Sequence, residues 1–393
     1  MKPPWIGLVS GIVSLVWACL ALAGPSGGKA HPWEPIGLSG GGAMYTPAIS
    51  PADGNLMMLN CDMSAAYIST DGGASWRMIH YSQLKASTRC RPAFHPTDPR
   101  AIFAASGWDG LKVSHDGGEH FEPLGDKLPH DLQGEIAIDP GRPELMLAGT
   151  GKGAWLSRDA GKTWSECRGV RLGGETGVRL GGETGVRGAV VGFHFDQSGP
   201  ADRRICFAAT TEGVFRSDDG GQTWAEKSGG LPWRPPRRRD GRELRSFAGG
   251  SSAASRQCVL YCAAASKAEG GQYAGGLYGS TDRGESWHSI MGAGLNMDTR
   301  AADQWAMAPV AQYHRVLTTN ARPQTVWAFN ANTGVKPPHH TAAYRSDDGG
   351  KTWRPTFSPD PRFPGCNVEQ DYVTVGVRQF YQDIPAGVGQ TRT

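Results

Sequence analysis

Three carboxylates stand where this chain could do acid–base chemistry: Asp62, Asp109 and Glu212, each just after the second apolar run of a four-run unit. Cleavage of a glycosidic bond needs two such groups, one to protonate the leaving oxygen and one to activate water or attack the sugar. Trp108 adjoins Asp109, and Trp108, Trp233 and Trp305 offer flat apolar faces of the kind on which sugar rings rest. Arg237, in the basic stretch 234–239, adds a donor for an anionic group. The same residue types also serve structure, since acids end turns and tryptophans pack between sheets.

The elements that must position these residues are announced by a repeat. Ser-x-Asp-x-Gly-x-(Thr/Ser)-Trp, or a near variant, occurs at 69–76, 114–121, 157–164, 217–224, 280–287 and 346–353. Asp71, Asp116, Asp159, Asp219, Asp282 and Asp348 occupy its third position, where a tight turn needs a side-chain acceptor for its own backbone, and the glycines supply positive φ. The Ser and Thr hydroxyls can bond across the turn, and the tryptophan opening the next strand pins the hairpin against its neighbour. The second copy carries His120 and Phe121 in place of Thr and Trp. The spacing serves a hairpin, so these aspartates read as structural.

Around each box the chain repeats one context: three apolar runs separated by turns, the box, then a fourth run. In the first unit the runs fall at 45–50, 55–59, 65–69 and 75–79. Units that recur every few dozen residues must stack to share a core. The pattern predicts an all-β fold, a β-propeller of four-stranded antiparallel blades near 43–80, 90–123, 134–166, 189–226, 244–289 and 311–356, with a partial seventh at 371–390 and negligible helix. In such an array the boxes join third to fourth strands on one face. The loops joining second to third strands, which carry Asp62, Asp109 and Glu212, lie on the other, and function is expected there.

The repeat is the Asp-box, or bacterial neuraminidase (BNR) repeat, and the chain resembles the propellers that carry it: sialidases, xyloglucanases, sortilin-type receptors and photosystem II assembly propellers. The resemblance implies the fold and no single activity. Gly40-Gly41-Gly42 followed by Asn60-Cys61-Asp62-Met63-Ser64-Ala65-Ala66-Tyr67 is similar to the first blade of xyloglucanases, which implies Asp62 as a catalytic acid or base. That family's Gly-Gly is Ser64-Ala65 here, and its partner Asp stands on a second propeller. A chain with one propeller is expected to draw the partner from another loop, such as that of Asp109. The residue set that a sialidase resemblance would imply is not legible in this sequence.

Composition agrees with an extracytoplasmic all-β protein: 56 Gly, 27 Pro and 13 Trp in 393 residues are turn formers and hairpin anchors. A formal charge of +3 argues against a nucleic-acid partner. Lys2, the apolar run 5–22 and Ala21-Leu22-Ala23 read as a signal peptide over 1–23, ahead of one domain at 24–393; a membrane role follows only if that run is retained as an anchor. Without Cys19 seven cysteines remain, an odd number without a disulfide framework, and Cys258 and Cys262 fall on one face of an apolar strand. No cofactor, metal cluster, phosphate loop or Ser/His/Asp set is read; His339-His340 reads as a solvated pair. The expected partner is a polysaccharide or glycan. The alternatives are a scaffold, like the assembly propellers, holding an acidic protein through 234–239, and a sortilin-like receptor. The loop 171–178, repeated unchanged at 179–186, is Gly-rich.

Overall fold

The computed structural model describes residues 44–63, 65–107, 109–169, 185–186, 188–232, 244–269, 272–295, 313–330 and 343–357. The expected signal peptide, Trp108, Trp233, Trp305, Arg237, the repeated loop through 184, His339-His340, Cys366 and the partial blade 371–390 lie outside them.

The described residues form six four-stranded antiparallel blades in a propeller. Blade 1 is Met44–Ile49, Met57–Cys61, Ala66–Ser69 and Arg77–Met78. Blade 2 begins with a broken strand, Cys90–Arg91 and Ala93–Phe94, followed by Ile102–Ala105, Leu111–Ser114 and Glu122–Pro123. Blade 3 is Leu132–Asp139, Arg142–Thr150, Ala154–Ser157 and Ser165–Glu166. Blade 4 is Val190–Phe195, Cys206–Thr210, Gly213–Ser217 and Thr223–Glu226. Blade 5 is Leu244–Ser252, Gln257–Glu269, Gln272–Ser280 and His288–Ser289. Blade 6 is Tyr313–Thr319, Arg322–Asn330, Ala343–Ser346 and Arg354–Phe357. Among the described residues the one helical element is the 3-10 turn Ala201–Arg203. First strands of successive blades crowd together and form the inner ring.

Alternation along the second strands builds the core, because a sheet stacked on both sides must be apolar on both faces. Leu145 and Leu147 enter the core shared with blade 4, while Met146 and Ala148 enter that shared with blade 2. Cys206 and Ala208 face blade 3, Phe207 and Ala209 face blade 5. Cys258, Leu260 and Cys262 all lie in the blade 4–5 core, as their spacing predicts; burial pushes both thiols up in pKa.

The boxes make the bonds their residue types call for. Ser346 Oγ donates to Asp348 Oδ1 at 2.7 Å and accepts the Gly350 N–H at 2.8 Å, while Asp348 accepts the Thr352 N–H and hydroxyl at 2.9 and 2.6 Å. Gly349 and Gly350 have φ of 75° and 93°. In the second box His120 Nδ1 takes the hydroxyl's place 2.7 Å from Asp116 Oδ2, and Phe121 is buried where tryptophan would be. Trp164, Trp224, Trp287 and Trp353 each enter the core shared with the preceding blade.

On the box face, Arg204 and Asp139 form a deeply buried ion pair at 2.7 Å between blades 3 and 4, and Asp196 joins Arg283 of blade 5 at 2.8 Å. Removing one member of a buried pair leaves an uncompensated charge, which costs about 3–5 kcal/mol. Asp139→Ala is therefore expected to lower the urea midpoint by an amount equivalent to about 3–5 kcal/mol, and an unchanged midpoint would refute the pair's structural role.

Bonds from the Ser75 hydroxyl and amide and from Ser69 hold Asp71 at about 2. Burial pushes Asp348 upward, but bonds from Thr352 and Ser346 outweigh it and leave it at about 2. An unfolded Asp titrates near ~3.9. The folded chain thus binds fewer protons than the unfolded one between these values, so this stability is present above ~3.9 and lost as pH falls toward 2. Melting temperature is expected to fall steeply on acidification through this window, with a shallower fall in Asp348→Asn; circular-dichroism melts at successive pH values check it.

Candidate functional site

Asp62 precedes the third strand of blade 1 and the box beginning at Ser69 follows it, so the two occupy opposite ends of one strand. Asp109 and Glu212 hold the same position in blades 2 and 4. All three candidate acids therefore share the face away from the boxes, as the sequence predicts.

Asn60 fixes the loop that carries Asp62. Its Nδ2 donates to Thr46 Oγ1 at 2.8 Å and its Oδ1 accepts the Ser87 N–H at 3.2 Å, while Thr46 Oγ1 donates to the Ser87 carbonyl at 3.4 Å. Thr46 has φ of 52°, a conformation a β-branched residue rarely adopts and one that surrounding bonds must hold. Beyond this buried triangle Asp62 and Met63 are exposed. Lys85, on the segment that also carries Ser87, donates its N–H to Ser106 Oγ at 3.0 Å and places Nζ 3.0 Å from the Asp109 carboxylate. One connecting segment thus ties the Asp62 loop to the Asp109 loop.

Glu212 does not join them. It stands two blades beyond Asp109, its N–H donating to Thr210 Oγ1 at 3.1 Å, against Gly188, where a Cβ would come within 2.8 Å of its Cγ. The structure brings together the Asp62 and Asp109 loops and leaves Glu212 apart.

Motifs do not single out Lys85, His130 and Asp131, which lie on segments leading into blades 2 and 3. His130 packs across Gly110, where a Cβ would stand 3.1 Å from its ring, and Asp131 borders Gly151. Nor do motifs single out the inner strands, whose pairing is irregular in their first halves. Pairing shifts between Tyr45 and Ala48, Leu132 and Ile136, Val190 and Gly192, Leu244 and Ser246, and Tyr313 and Arg315; blade 2 breaks at Pro92. Such bulges re-aim side chains. Here they involve Glu135, Arg245 and His314, with Arg91 and Arg315 alongside. The sequence signal was available: a charge in an otherwise apolar first run, as in Leu244-Arg245-Ser246 and Tyr313-His314-Arg315.

These inner-strand charges are unevenly matched. Glu135 is buried, accepts the Phe193 N–H and pairs with Arg91 across the parallel Arg91–Glu135 register. Arg245 Nη1 lies 3.4 Å from His314 Nε2, and its buried Nε has no hydrogen-bond partner among the described residues. Burial and the adjacent Arg245 charge pull His314 down to about 4, so it is neutral at physiological pH. Burial pulls Arg91 down to about 10, with the Arg315 charge adding to the effect, and burial lowers Arg315 as well.

Comparison with known proteins places this geometry among relatives. The BNR/Asp-box repeat family matches residues 67–78, 215–226 and 344–355. The xyloglucanase Xgh74A of Acetivibrio thermocellus is 27% identical over 229 residues, 49% of this chain and 27% of that protein. A xyloglucanase of Paenibacillus sp is 25% identical over 240 residues, covering 53% and 23%. Among solved structures, an ancestral GH74 enzyme superposes with TM-score 0.58 at 17% identity, covering 88% of this chain and 42% of that one. The GH74 xyloglucanase of Xanthomonas campestris superposes at 0.55 and 22%, covering 83% and 47%. The chain therefore spans less than half the length of each of these four relatives.

Loss of Asn60 would strand the Ser87 N–H in a buried site, a penalty of about 1–3 kcal/mol. Asn60→Ala is expected to destabilise by that amount and to speed amide exchange in 61–65 ahead of the outer strands; uniform exchange in the variant would show that Asn60 does not hold this loop.

Proposed function

We propose that this Asp-box propeller is an exported, xyloglucanase-like protein that binds a polysaccharide across the face opposite its boxes and hydrolyses it with Asp62 as acid or base. The observation that carries this reading is the exposed Asp62 on its braced loop, within a first blade similar to that of xyloglucanases. The matches to xyloglucanases over about half of the chain support the substrate class. Asp109, on the loop tied to that of Asp62 through Lys85 and Ser87, is the second carboxylate in this proposal, and hydrolysis by two carboxyl groups needs one on each side of the scissile bond. Lys85 then has a role in orienting Asp109, and Trp108, beside it in sequence, serves as a platform for a sugar ring.

The test is reducing-sugar release from xyloglucan together with oligosaccharide affinity by calorimetry. Asp62→Asn is expected to cut turnover by about 10²–10⁴-fold, the usual worth of a positioned acid or base, with affinity little changed, and Trp108→Ala to weaken binding. Full turnover in Asp62→Asn sinks the assignment of that residue; no affinity for any neutral glycan in the wild-type chain sinks the substrate class.

A further inference from the structure

Blade 6 has an apolar face that no described blade covers. In blade 3 Leu147 lies opposite Leu156 and Gly149 opposite Ala154, and this face packs on blade 4 and receives the box tryptophan of that blade, Trp224. In blade 6 the same register sets Trp327 opposite Arg345 and Phe329 opposite Ala343. Phe329, Ala343 and Trp327 form a cluster that holds no residue of another blade among those described, yet Phe329 and Ala343 are only 7% and 1% exposed. Blade 1 shows the other side of the same gap. Five box aromatics are buried, each with the blade before it, while Trp76 of blade 1 stays partly exposed.

The sequence carries one more aromatic of the box type. Trp33-Glu34-Pro35-Ile36 repeats Phe121-Glu122-Pro123-Leu124, the box aromatic and fourth strand of blade 2. It also stands as far ahead of Met44, where the first strand of blade 1 begins, as Phe121 stands ahead of Leu132, where that of blade 3 begins. Gly28 occupies the position of the box aspartate. A clasp is needed only where a hairpin joins third and fourth strands, so its loss fits a fourth strand whose third comes from elsewhere in the chain. The run 372–377, Tyr-Val-Thr-Val-Gly-Val, has the length and the β-branched content of such a strand.

We propose that the segment 33–36 docks on the open face of blade 6, with Trp33 seated on Phe329 and Ala343, as the outer strand of a seventh blade whose inner strands come from beyond Phe357. Trp33 then does for blade 6 what Trp224 does for blade 3, and segments from either side of the six blades close the ring. An open ring would turn two apolar sheet faces toward water, an arrangement that invites association. A second copy of this chain could cover the same face. The agreement of 33–36 with a box aromatic and its strand, in residue type and in distance from the next blade, favours the chain's own segment. The proposal does not depend on the glycan reading.

The experiment compares the full wild-type chain with Trp33→Ala, Trp33→Phe, Phe329→Ala and the double variant by amide exchange, urea unfolding and sedimentation velocity. Trp33→Ala is expected to speed exchange in 322–330 and 343–346 of blade 6 by about tenfold or more while leaving 142–150 of blade 3 unchanged, and to lower the urea midpoint. Trp33→Phe, which installs the residue type of position 121, is expected to keep most of the protection. The effects of Trp33→Ala and Phe329→Ala on unfolding are expected to be non-additive, as they are for groups in contact. Where Trp33→Ala does not fold, Trp33→Leu gives the same comparison with a smaller loss of apolar volume. Unchanged exchange in blade 6, or full additivity, overturns the proposal. A wild-type dimer that Phe329→Ala converts to monomer assigns the face to a second copy and overturns it as well.

Discussion

The Ser–Asp clasp at the head of each outer strand is the interaction on which the rest of the structure depends. Its serine hydroxyl both donates to the aspartate and accepts a glycine amide, so neither partner can move without breaking two bonds. That rigidity fixes the direction of the following aromatic. Trp164 and Trp224 each close back by bonding Nε1–H to a glycine carbonyl of their own box while burying their rings against the preceding blade. The clasp is thus a local hydrogen-bond device with a tertiary outcome. It converts a turn into an inter-blade contact, and repetition converts that contact into a ring. The substitution of His120 for the hydroxyl residue shows which part is essential: a donor to the aspartate at that point, whatever chemistry supplies it.

Because the clasps occupy one face, the two faces obey different rules. The box face is crowded with inter-blade bonds, including Arg77 to Glu119, Arg216 to Glu285, and the buried Arg204–Asp139 and Arg283–Asp196 pairs. Several charges there are matched by a neighbouring blade. The opposite face carries loops whose tethers run through connecting segments, as Asn60 binds Ser87 and Ser106 binds Lys85. Side chains on that face can change without disturbing the clasps, which is the condition for a site.

The fold was legible in the sequence because its determinants are local. Six boxes mark six hairpins, and the uninterrupted apolar runs such as 258–265 mark strands buried on both faces. The shared face of Asp62, Asp109 and Glu212 followed from strand counting alone. Their grouping did not, because it depends on which segments link neighbouring blades: Lys85 and Ser87 couple the first two acids, and nothing in their spacing announces it. The inner-strand charges were illegible for a similar reason. Arg91, Arg245 and Arg315 are separated by 70 to 224 positions, and each falls at or beside an irregularity in an inner strand that no motif marks.

These irregularities are a physical consequence of the fold. Inner strands converge on an axis where there is little room for side chains, and a regular ladder would send alternate residues into the two adjacent blades without exception. A bulge breaks the alternation at one point and turns a side chain toward the axis. Five inner strands shift register in their first halves and the remaining one breaks at Pro92, so residues there escape the demand to be apolar. Thr46 accepts an unfavourable φ there, and among the described residues nothing bonds the buried Arg245 Nε.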